Sequence, residues 1–117
     1  MSDQYHEPIE LLDEETQDLT RAIKSIMEEF EAVDWYNQRM SATNDEELYA
    51  ILKHNRDEEL EHAAMGIEWL RRKLPEFDEE LRENLFKEGP ISGHHGDEGA
   101  EETPKKVRSL NIGKPKH

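Results

Sequence analysis

Two segments with helical apolar spacing each carry ionisable side chains in the stripe that should be dry, which constrains this chain more than any other feature. In the first, Leu19, Ile23, Ile26, Phe30 and Val33 recur at alternating steps of four and three, the period of one helix face. Ala22, Glu29 and Tyr36 run along the edge of that seam at heptad spacing. In the second, the inward stripe reads Leu48, Leu52, Asn55, Glu59, His62, Gly66 and Leu70, flanked by Ile51, Ala63 and Trp69. A carboxylate in such a stripe is costly to desolvate unless a cation neutralises it. No Lys or Arg holds a facing stripe position. A Glu-x-x-His on a charged helix is ordinarily a surface ion pair, but here all three ionisable residues occupy stripe positions. Glu29, Glu59 and His62 are therefore read as metal ligands. Residues three apart on a helix project to one side, so Glu59 and His62 can hold one ion. A carboxylate-rich set without thiolate leans away from structural zinc.

The first helix is expected to start near Asp13, an N-cap followed by acidic residues, and to end between Met40 and Asn44. The second should run from about Asp45 to Lys73, stopped by Pro75. A short third helix from about Asp78 to Phe86 has Leu81 and Leu85 on one face. The expected fold is all-α, an antiparallel two-helix hairpin with a short third helix. A hairpin cannot cover both faces of its own seam; two packed face to face make a four-helix bundle, which can. Di-iron carboxylate bundles take one Glu from each of two helices and a Glu-x-x-His from each of two others. This chain supplies one of each. Two copies would bring four carboxylates and two imidazoles together, a suitable set for two iron ions.

Composition agrees with a module that buries surface by association. The chain has 117 residues, of which 33% are hydrophobic, thin for a self-sufficient monomer. With no cysteine, disulfides, iron–sulfur clusters and thiolate catalysis are excluded, which fits a reducing cytoplasm. No apolar run approaches the roughly 20 residues that span a bilayer, and the N-terminus lacks the pattern of a signal peptide. A net charge of −14 argues against nucleic acid and anionic membranes as partners. The expected organisation is a leader over 1–12, a helical hairpin over 13–88, a flexible linker over 89–108 and a terminal peptide over 109–117.

Met27-Glu-Glu-Phe-Glu-Ala-Val-Asp-Trp-Tyr-Asn-Gln-Arg39 and His54-Asn-Arg-Asp-Glu-Glu-Leu-Glu-His-Ala-Ala-Met65 resemble the two signature segments of the encapsulated ferritins. The similarity runs over about the first ninety residues. It implies a hairpin that dimerises into a ferritin-like four-helix bundle, with the homodimers closing into an annular homodecamer. The implied activity is ferroxidase, with Fe(II) oxidised by dioxygen at the dimer interface and iron passed to a surrounding encapsulin shell for mineral storage. Carried over by position, Glu29, Glu59 and His62 are the iron ligands of a di-iron centre shared across the dimer, and Tyr36 lies close behind them. Leu60 departs from the Lys common in the family, at a position that is not a ligand.

The resemblance also implies that Glu28 and Glu31 form an acidic entry site for calcium or another divalent cation; the plain reading of that pair is a solvated acidic face. His54, Glu58 and Glu61 share a helix face that could hold a surface metal, against a reading as solvated charges. The tail Ser109-Leu-Asn-Ile-Gly-Lys-Pro-Lys-His117 resembles the C-terminal peptides that target cargo to encapsulin shells. Leu110 and Ile112 suit apolar pockets, and Gly113 permits close backbone approach. The expected location is cytoplasmic, in the shell lumen. Two other functions compete: a non-catalytic metal-binding helical adaptor and a di-iron peroxidase.

Overall fold

The computed structural model describes residues 5–93. Among these residues there is a 3-10 turn, Ile9–Leu11, three α-helices and no strand. The helices are α1 (Glu14–Ala42), α2 (Glu46–Lys73) and α3 (Pro75–Asn84). Asp13 caps α1 by accepting a 2.8 Å hydrogen bond from the Thr16 amide, which also holds its carboxyl below the usual range. Glu14 and Glu15 complement the helix dipole in the first turn. Asp45 repeats the device on α2, accepting from the Leu48 amide at 2.9 Å. The Asp45 amide in turn donates to Thr43 Oγ1, so the short connection between the helices satisfies its own polar groups.

The short connection folds α1 and α2 into an antiparallel hairpin. Its core is thin: Met40, Tyr49 and Leu52 cluster near the loop with Tyr36 against them, and Ala63 and Leu70 are buried further along α2. Between these groups Arg56 Nη1 donates to Asn37 Oδ1 at 2.7 Å, an interhelical bond that pattern reading did not anticipate. Leu48, expected in the inward stripe, is 44% exposed, and Tyr49 takes the buried place beside it. Helical spacing puts Tyr49 on the buried side with Leu52, Ala63 and Leu70, and turns Leu48 towards the His62 side.

Eight large apolar side chains of α1 and α2 stay exposed, Ile23, Met27, Phe30, Trp35, Leu48, Ile51, Leu60 and Met65, so the hairpin leaves a substantial apolar surface open. Helical spacing divides that surface in two. Leu48, Ile51 and Met65 follow the side of α2 that carries His62, whereas Ile23, Met27, Phe30 and Leu60 follow the side of the Asn37–Arg56 bond.

The third helix starts at Pro75 and ends at Asn84, earlier at both ends than the expected Asp78 to Phe86. Pro75 does end α2, and it also occupies the first turn of α3, where a missing N–H has no intrahelical role. Leu74 caps both helices, donating to Leu70 O. At the other end Phe86 has φ 57 and is fully exposed, which breaks the helix before it. Arg71 ties α3 to α2, bonding Glu68 on its own helix and Asp78 on α3. Arg71 and Arg72 bring the Glu68 carboxyl down to about 2, and Arg82 and Arg71 hold Asp78 below its ordinary value. The leader over 1–12 includes the 3-10 turn, pinned where Gln17 Nε2 donates to Leu12 O at 3.0 Å. Most of the 89–108 linker and all of the 109–117 tail lie outside the described residues.

Candidate metal centre

Glu29 stands mid-way along α1, and Glu59 and His62 stand mid-way along α2, at the level where the antiparallel helices bring them opposite each other. His62 Nδ1 is 3.5 Å from Glu29 Oε1 and 3.6 Å from Glu59 Oε1. One donor atom from each lies within 4.8 Å of the others, and this is the only such group of three among the described residues. The contacts are too long for good hydrogen bonds. They match another geometry better: an ion about 2.1 Å from each donor leaves donors roughly 3 to 3.5 Å apart. Two carboxylates and an imidazole so gathered form a group that could hold a metal ion.

The electrostatics carry the cost of bringing acids together. Glu29 and Glu59 keep side-chain exposures of 28% and 25%. The Glu29 carboxyl is pushed up, first by the hydrogen bond it shares with Glu59, then by burial and by the charge of Glu59. His62 pulls it in the opposite direction. The neighbouring carboxylate and partial burial thus oppose the ionisation of Glu29. His62 is 49% exposed and on the open side of the hairpin, so the ligand set faces outward. Three side chains leave part of an ion's coordination open on that face.

The other expected site residues are placed differently. Tyr36 lies two turns from Glu29 towards the loop, packed against the Met40, Tyr49 and Leu52 cluster, with the Arg39 guanidinium 5.4 Å from its ring centre. Glu28 and Glu31 are exposed on α1, as is Trp35 at 48%. His54 and Glu58 approach to 3.3 Å on the surface of α2, and Glu61 is exposed one turn further on. Neither of those two acidic sets gathers three donors within one chain in the way that the Glu29 group does. Pattern reading placed Gly66 in the stripe without foreseeing its contact with Ile26. A glycine inside a strong helical pattern was the available signal.

Comparison with known proteins identifies relatives of the chain as a whole. Residues 4–88 match the family model described as EncFtn-like. The chain is 52% identical over 122 aligned positions to an encapsulated ferritin-like protein of Rhodospirillum rubrum, covering 96% of this chain and 87% of that protein. It is 55% identical over 92 positions to a ferritin-like protein of Thermotoga maritima, covering 79% of this chain and 81% of the relative. An encapsulin nanocompartment cargo protein of Myxococcus xanthus, EncC, shares 38% identity over 71 positions, 60% of this chain and 55% of that one. The crystal structure of protein ne0167 from Nitrosomonas europaea superposes with a TM-score of 0.74 at 59% identity, covering 77% of this chain and 99% of that chain. The hairpin with its paired signature segments, matched along most of its length, places this chain in the EncFtn-like family.

Proposed function

We propose that this protein is a ferroxidase. It takes Fe(II) as substrate at a di-iron centre formed between two subunits, passes electrons to dioxygen, and delivers Fe(III) for mineral storage inside an encapsulin nanocompartment. The observation that carries this reading is the convergence of Glu29, Glu59 and His62 on an open, apolar-edged face. Half of a di-iron ligand set is present, spaced for a shared ion and turned outward. A second hairpin packed on that face would supply the other half and bury Leu48, Ile51 and Met65. Each Fe(II) gives up one electron, so two ions held side by side deliver a pair to dioxygen. The protein's part would be to orient the donors and to offset the higher charge of the product with its carboxylates.

The second apolar face, with Ile23, Met27, Phe30 and Leu60, supports association beyond a dimer, as in an annular homodecamer. Glu28 and Glu31 are assigned to a cation entry site on the acidic surface, holding calcium or another divalent ion, and Tyr36 to the border of the centre. His54, Glu58 and Glu61 would form a weaker surface site. Residues 13–88 form the catalytic module and 109–117 the targeting peptide, which would hold the protein in the lumen of a cytoplasmic shell. The encapsulated relative from Rhodospirillum rubrum and the cargo protein from Myxococcus xanthus support that location. No helix among the described residues is long and apolar enough to cross a membrane.

Aerobic oxidation of Fe(II) tests the activity directly. A purely structural metal-binding adaptor gives no rate above buffer, and a peroxidase responds to hydrogen peroxide but not to dioxygen. Targeting has its own test. Deleting residues 109–117 should leave oxidation by the isolated protein unchanged and abolish loading when it is co-expressed with a shell protein. The segment over 89–108 separates the two modules in sequence, so each should act without the other. Leu110→Asp with Ile112→Asp should reproduce the deletion, because a charge is costly to desolvate in an apolar pocket. Normal loading of the truncated protein would place targeting elsewhere in the chain.

A further inference from the structure

We infer that Gly66 is a positioning residue for the Glu29, Glu59 and His62 cluster, setting the close approach of α1 and α2 that brings the donors together. The inference rests on the metal-centre reading above and extends it to a residue that touches no ion. A Cβ at position 66 would stand 2.6 Å from Ile26 Cγ1 and 3.1 Å from Ile26 Cδ1, so Ile26 occupies the space a side chain would need. Ile26 cannot easily give way, because a β-branched side chain in a helix is stiff at χ1.

The place of this contact gives it meaning. Gly66 follows His62 by four residues and Ile26 precedes Glu29 by three, so the notch lies one turn from the cluster on both helices. Ala63, beside His62, is 1% exposed, the most buried of the core side chains. On the other side of the cluster, one turn before Glu59, the Asn37–Arg56 bond joins the helices again at 2.7 Å. The donors are thus bracketed by a small-residue notch and a polar clasp. Glycine is the poorest helix former after proline, and Gly66 stands deep inside α2, so it weakens the helix locally in order to admit Ile26. Glu29 and His62 meet across the helices at 3.5 Å, so a separation wider by the width of a methyl group would take Glu29 out of a shared coordination sphere.

The test uses Co(II) as a spectroscopic stand-in for Fe(II), titrated into the full-length, chelator-treated protein. Gly66→Ala should weaken Co(II) binding about tenfold and alter the Co(II) absorption spectrum. Its thermal midpoint should fall by no more than a few degrees, because the helix propensity gained with alanine partly offsets the crowding against Ile26. A merely structural role predicts a lowered midpoint with an unmoved spectrum and unmoved affinity. Ile26→Ala supplies the second arm by emptying the opposing space. In that background Gly66→Ala should cost less than about twofold, the non-additivity expected of residues in contact. Wild-type Co(II) affinity in Gly66→Ala, or the same tenfold loss in both backgrounds, would overturn the inference. The wild type and Glu59→Ala separate the two levels of the argument. If neither binds Co(II), the metal-centre reading fails and takes this one with it. If the wild type binds, Glu59→Ala does not, and Gly66→Ala matches the wild type, only the role of Gly66 fails.

Discussion

Glu29→Ala, Glu59→Ala and His62→Ala should each lower the rate of aerobic Fe(II) oxidation by more than about 100-fold. Groups that merely orient a metal ligand already change affinity or activity roughly 10–100-fold. In the proposed centre a donor itself is removed, and a two-fold assembly would repeat the loss in both copies. Stability should move the other way for Glu29. Its carboxyl is held above the ordinary range, so the folded, metal-free protein binds that proton more tightly than the unfolded chain does. Below the ordinary carboxylate value both states are protonated and the penalty vanishes. As pH rises through the raised folded value, stability is lost. Glu29→Gln should therefore raise the thermal midpoint of chelator-treated protein at pH 7 by a few degrees, with little gain near pH 4. Metal binding must expel the same proton, so affinity should climb with pH over that interval. A lower midpoint at pH 7 for Glu29→Gln would remove carboxylate repulsion from the account, and wild-type oxidation by Glu59→Ala would remove α2 from the centre.

The second large effect concerns assembly. Ile51 is 57% exposed and follows the His62 side of α2, so Ile51→Asp should leave the hairpin folded while placing a charge in the dimer face. The variant should elute as a monomer and oxidise Fe(II) no faster than buffer. Fe(II) or Co(II) should conversely shift dilute wild-type protein towards the assembled form, since an ion that binds only the assembly stabilises it by mass action. Size-exclusion fractions assayed one by one decide the matter. A fully active monomer would sink the half-site argument.

Much of this was legible in the residues because the signals were local and repeated. The four-and-three spacing from Leu19 to Val33 and the caps at Asp13 and Asp45 located α1 and α2 closely. Glu29, Glu59 and His62 stood out because apolar periodicity made them anomalous. The misses share a cause, which is that one residue can serve two elements or that a contact lies between elements. Pro75 was read as ending α2, which it does, but a proline suited to a first turn also begins α3. Tyr49 displaced Leu48 from the core because the buried line of α2, through Leu52, Ala63 and Leu70, is rotated away from the stripe that Leu48 shares with His62. The Asn37–Arg56 bond and the Gly66–Ile26 contact depend on the relative placement of two helices, which no single-helix periodicity contains. The distance from Glu29 to His62 belongs to the same class.

The most direct measurement is anomalous diffraction at the iron absorption edge from crystals of the Fe(II)-loaded protein. Two anomalous peaks are expected at each two-fold interface, within bonding distance of Glu29, Glu59 and His62 from both copies. A lone peak held by one chain, or peaks confined to Glu28 and Glu31 or to His54, Glu58 and Glu61, would contradict a di-iron centre shared between subunits.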